Sequence, residues 1–176
     1  MTKDVDTPDK GAGGIILGWW RANLRPEPDD GAARGLRARL RRAAHVVDIL
    51  AEPQVIALYD ALGRRHDPAR LAALVPVLAA VETERRQRIA GAFGAGEEPP
   101  LSQLRFQRLI RSTESGELAR ALRRALSLID PACNVAALGA DFLRWDEQVR
   151  MRWCFDYFGK APPDALAAAS ETEETA

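Results

Sequence analysis

Leu36, Leu40, Ala43, Val47 and Leu50 recur every three or four residues, and that spacing is a helical one. At roughly 100° per residue they form one narrow apolar stripe. Leu118, Ala121, Leu122, Ala125 and Ile129 repeat the pattern, as do Phe106, Leu109 and Ile110. Farther on, Leu138, Phe142, Trp145, Val149 and Trp153 make a stripe of large side chains, which reads as core packing. No run alternates β-branched and polar residues, and no Asn-Gly hairpin signal occurs. The fold class implied is all-α, a compact bundle of six to eight helices. The breaks fall at PEPDDGA (26–32), GAGEEPP (94–100) and ESG (114–116), and the loop at 94–100 is a candidate boundary between two small lobes.

The expected helices cover about 14–24, 32–50, 53–62, 103–112 and 117–129. Asp67-Pro68, an N-cap followed by a first-turn proline, opens another towards Ile89, with a kink at Pro76. Asn134 caps a last stretch to Phe158, broken near Gly139 or Asp146. Residues 1–13 and 159–176 read as flexible tails around a helical domain at 14–158, the second tail acidic.

Hydrophobic residues at 47% and charged residues at 28% fit a globular chain rather than a disordered one. No apolar run approaches the ~18 residues of a membrane span, and the N-terminus lacks an apolar signal segment. The expected location is the cytoplasm. Cys133 and Cys154 both fall in expected helices and read as unpaired apolar side chains.

Catalytic equipment is missing. His45 and His66 have no paired ligand spacing, so no metal site is expected. Neither GxSxG nor a P-loop occurs, and GAFGAG (91–96) follows a helix rather than a strand. The acidic pairs Asp29-Asp30, Glu97-Glu98 and Asp146-Glu147 are adjacent and share no helix face. The reading is a non-enzyme with no cofactor.

The arginines are the remaining signal. Residues 15–158 hold 22 Arg and no Lys against 18 Asp and Glu, a surplus of four charges that the tails cancel. The preference for Arg over Lys is also what a GC-rich genome produces. Helical phasing nevertheless sets three trios opposite the apolar stripes: Arg34/Arg37/Arg41, Arg105/Arg108/Arg111 and Arg120/Arg123/Arg124. Arg39 and Arg42 lie on the other flank of the first. Guanidinium groups match phosphate oxygens and stack on bases, so these faces are either nucleic-acid contacts or solvated faces with local ion pairs, such as Glu117 with Arg120. A net charge of zero argues against strong binding by the chain alone. Trp19 and Trp20 point about 100° apart, so they read either as two half-buried rings or as an aromatic anchor for a protein partner. Leu104, among the arginines of its helix, belongs with that second reading.

GWWRANL (18–24), GLRARLRRA (35–43), PLSQLRFQRLIRS (100–112), LARALRRALSLI (118–129) and NVAALGADFLRWDEQVRMRWCFDYF (134–158), in this order, resemble the CasB family. That family is the small subunit of the type I-E CRISPR effector complex, Cascade. The resemblance implies an all-α, non-catalytic subunit, present as two copies, that packs along the crRNA-bearing subunits and holds the displaced non-target strand when the guide pairs with target DNA. It carries the basic face over as a class of site, on Arg37, Arg41, Arg42, Arg105, Arg108, Arg123 and Arg124. The competing reading is a helical protein-interaction adaptor using Trp19, Trp20 and Leu104, with solvated arginines. A helical transcriptional regulator is a third, without a compact helix-turn-helix spacing to support it.

Overall fold

The computed structural model describes residues 11–25, 27 and 30–166. Within them the chain runs α1 (Ala12–Asn23), α2 (Gly31–Arg42), α3 (Val46–Leu50), α4 (Pro53–Ala61), α5 (Pro68–Ala80), β1 (Thr83–Glu84), α6 (Ile89–Phe93), α7 (Gln103–Ile110), α8 (Ser115–Leu126), β2 (Ala132–Cys133), α9 (Val135–Arg144) and α10 (Glu147–Tyr157). A further helical turn spans 164–166. The fold is all-α apart from the two short strands, which pair in parallel. The helices outnumber the expected six to eight because the 32–50 stretch is cut in two, the last stretch breaks as expected, and α6 and the turn at 164–166 are short additional helices. Residues 12 and 13, expected in a tail, already belong to α1.

α5 is the central helix, and α2, α3, α4, α8 and α9 all pack on it. Its segment LAALVPVLAA is apolar on every side, as a helix surrounded by others must be. Asp67 accepts from Ala69 N–H at 3.1 Å, and Pro68 occupies the first turn as expected. One cluster of buried side chains runs from Ile16 to Tyr157, across both sides of the 94–100 loop. The two-lobe division therefore has no separate cores to support it.

α1 lies against α9 at close range. A Cβ at Gly139 would come within 2.7 Å of Ile16 Cδ1, and one at Gly13 within 2.8 Å of the Ala136 carbonyl, so both positions depend on glycine.

Three sequence expectations are corrected here. The stripe from Leu36 to Leu50 is not one helix. α2 ends at Arg42, and α3 restarts after His45, whose N–H is held by the Asp48 carboxylate at 3.1 Å. Val47 thereby swings out to 69% exposure. The helix from Asp67 stops at Ala80, short of Ile89. The run ETERRQR that follows offers no apolar face to bury, and its main chain turns to 131–133 instead, with Glu82 N–H donating to Pro131 O at 2.7 Å. Cys133 consequently lies in β2 rather than in a helix.

The last stretch breaks at Trp145, whose φ of 24° ends α9, and Asp146 caps α10 through Val149 N–H at 2.9 Å. Asn134 caps α9 through Ala137 N–H at 2.8 Å. Leu138, Phe142, Trp145, Val149 and Trp153 are all buried, so that stripe is core. Among the described residues no helix is long and apolar enough to cross a membrane.

Candidate functional site

α8 buries Leu118, Leu122, Ala125 and Leu126, and α5 covers that face. Because α5 also receives α2, the C-terminal ends of α2 and α8 come to lie side by side. Arg123 Nη2 donates to the Arg41 carbonyl at 2.7 Å across this junction. That carbonyl is in the last turn of α2, where main-chain oxygens lack intrahelical partners and the helix dipole favours a cation.

A groove of about 900 Å³ opens beside the junction, lined by Arg41, Arg120, Arg123 and Arg124 together with Ser127 and Glu82. Among the described residues Glu82 is the only carboxylate in this lining, and it stands 3.7 Å from Arg41. No carboxylate among the described residues forms an ion pair with Arg120, Arg123 or Arg124, Glu117 included. Arg124 Nε reaches only its own helix, at the Arg120 carbonyl, 3.3 Å away. Such a concave cluster of guanidinium groups can take phosphate oxygens in a forked geometry.

The structure brings together one arginine of the first trio and all of the third. Arg34 and Arg42 are exposed elsewhere on α2, and Arg42 Nε is turned to the Ala38 carbonyl at 3.0 Å. Arg105 and Arg108 are exposed on α7, which packs on α8, but neither lines the groove. Leu104 beside them is 59% exposed.

Arg37 is removed from the basic face. It is only 8% exposed, and its Nη1 donates to the carbonyls of Leu24 at 2.9 Å and Val81 at 3.1 Å. Those residues are the C-caps of α1 and α5, so an interior guanidinium closes two helix ends. Burial, together with nearby Arg41, lowers its pKa, while Glu82 opposes the shift.

Trp19 and Trp20 are likewise not an exposed anchor. Both are buried, Trp20 to 2% exposure. Their divergence is accommodated because α4 and α5 each offer an acceptor: Trp19 Nε1 donates to Gln54 O at 2.7 Å, and Trp20 Nε1 to Leu78 O at 3.0 Å.

Sequence reasoning missed Glu82 and Ser127 as groove residues. The expected continuation of the helix towards Ile89 places Glu82 inside it, although the polar run from 82 to 88 with no apolar period signals the break. Among the described residues no cluster of three His, Cys, Asp or Glu side chains is placed to hold a metal.

No curated protein and no solved structure significantly matches this chain. A protein-family model does: residues 36–158, most of the chain, match CRISPR-associated protein Cse2. The matched stretch contains the groove and the core from Leu36 to Tyr157. The chain belongs to the Cse2 family, the CasB small subunit of type I-E Cascade, a structural, non-catalytic component of that complex.

Proposed function

We propose that the groove between α2 and α8 holds the phosphate backbone of the displaced non-target strand when Cascade opens target DNA. The carrying observation is the lining itself: among the described residues, four guanidinium groups against the single carboxylate of Glu82. R-loop formation is a near-balanced exchange of one duplex for another, so a few phosphate contacts can tip it. Two copies of the subunit, seated beside the crRNA-bearing subunits in the cytoplasm, would present the groove at high effective concentration, and modest intrinsic affinity then suffices. The zero net charge of the chain agrees with weak binding outside the complex.

The test is R-loop formation by reconstituted Cascade carrying Arg120→Ala and Arg124→Ala. These two are preferred to Arg123, which also fastens α2. Loss of protection of the displaced strand, with assembly intact, supports the reading. Full R-loop formation and protection would sink it. The adaptor reading loses two of its three residues to the core, and Leu104 alone remains exposed for it. Failed assembly on Leu104→Asp, with displaced-strand protection indifferent to the arginines, would favour that alternative.

A further inference from the structure

One acidic side chain enters the basic groove, and the main chain fixes where. Glu82 stands just ahead of β1, and its N–H donates to the Pro131 carbonyl at 2.7 Å. Thr83 and Glu84 then pair in parallel with Ala132 and Cys133. Pro131 lines the groove as well, so this crossing carries the Glu82 carboxylate to the groove wall. Two other carboxylates lie on the same strand pair, Glu84 in β1 and Asp130 just before β2. Glu84 faces Arg21 at 3.4 Å and Asp130 faces Arg85 at 3.2 Å, and both of those arginines lie outside the groove lining. Among the described residues, Glu82 is thus the one carboxylate of this strand pair turned onto a groove arginine, Arg41.

The contact is a loose one. Arg41 Nη2 and Glu82 Oε1 are 3.7 Å apart, beyond hydrogen-bond range, and both side chains are about half exposed. Exposed pairs of this kind hold weakly. A phosphate offers Arg41 shorter, forked, charge-assisted hydrogen bonds. It can displace the carboxylate, but only beside a negative charge that has then lost its partner. The Arg41 main chain stays in place meanwhile, because its carbonyl is held by Arg123 at 2.7 Å, so only the side chain has to move. Arg120, Arg123 and Arg124 meet no such rival carboxylate among the described residues.

We propose that Glu82 is a built-in competitor for the phosphate at Arg41, and that it holds the affinity of the groove for a DNA strand below what the four guanidinium groups alone would give. The inference rests on the function proposed for the groove and adds its regulation. Three arginines grip the strand unopposed, and at the fourth the chain supplies its own substitute for phosphate, so that contact is the first to let go.

Binding of a fluorescein-labelled oligothymidylate to the full-length chain would be followed by anisotropy at several salt concentrations. Glu82→Gln should tighten binding about three- to fivefold at low salt, with the gain shrinking as salt rises, and should steepen the salt slope by up to about 0.7. In the Arg41→Ala background the same substitution should change affinity by less than about twofold. A gain of full size in that background would make Glu82 a general negative charge beside the strand and overturn the proposal. Unchanged affinity in Glu82→Gln, while Arg120→Ala with Arg124→Ala weakens binding, would overturn it too and leave the groove reading intact. Binding indifferent to Arg120→Ala with Arg124→Ala removes the groove itself, and the proposal with it. No binding by either the wild type or Glu82→Gln at low salt also overturns it.

Discussion

Arg123 and Arg41 are joined by a 2.7 Å hydrogen bond from the guanidinium of one to the main-chain carbonyl of the other. The bond fixes the end of α8 against the end of α2 and so sets the width of the groove between them. It also means that the groove arginines differ in kind. Arg123 is half-buried and structural as well as basic, whereas Arg120 and Arg124 project from the same turn without an ion partner among the described residues.

Binding of single-stranded DNA to the purified subunit should depend on salt with a log–log slope no steeper than about −3, from about −0.7 per phosphate over four groove cations. Arg120→Ala with Arg124→Ala should flatten that slope by about half, with little change in thermal stability. Fluorescence anisotropy at several salt concentrations measures both quantities, and an unchanged slope would remove this face from the interface.

Arg37→Met should behave in the opposite way. It leaves the Leu24 and Val81 carbonyls without their buried donor, at a cost of about 1–3 kcal/mol. The salt slope of DNA binding should be unaffected. Urea denaturation separates this variant from the groove variants.

Asp146 makes stability sensitive to acid. Burial alone would raise its pKa, but the Val149 N–H and Arg144 outweigh burial and hold it below the ordinary carboxylate value. A depressed pKa in the folded state contributes stability above the unfolded value, and that contribution is lost as pH falls through the folded one. Asp146→Ala should therefore unfold more easily near neutrality, by about 1 kcal/mol for a lost N-cap. The gap from wild type should close as the pH is taken below about 4. Thermal melts across that range test the sign.

The two thiols should label at different stages. Burial pushes Cys133 up to about 12, and Cys154, half-buried on α10, is raised by the same cause. One thiol should react slowly in the native protein, and the second only after unfolding. Mass spectrometry after timed alkylation would identify them, with early modification of Cys133 counting against its placement in the interior.

Much of this architecture was legible in the residues. The stripes at 118–129 and 138–153 each repeat at helical spacing, and Asp67 and Asn134 mark true helix starts. Periodicity could not show that the stripe ending in Val47 and Leu50 is interrupted, because the interruption comes from the His45–Asp48 contact and not from a Gly or Pro. Arg37 was illegible for a different reason. It is phased with Arg34 and Arg41, and only the arrival of two other helix ends at its tip draws it inside. For the Trp pair the residues leave two readings open, half-buried rings or an anchor, because what buries each indole is a carbonyl from a different helix. The merger of Arg41 with the α8 arginines is a tertiary fact, created by α5 lying beneath both helices.

The closure of α1 and α5 by Arg37 reaches beyond stability. One more residue in either helix would rotate its final carbonyl by about 100° and carry it ~1.5 Å along the axis. A single guanidinium nitrogen could then no longer reach both. The lengths of two helices are thus tied to one side chain of a third, and an insertion within α1 or α5 would have to be matched by a compensating change at position 37.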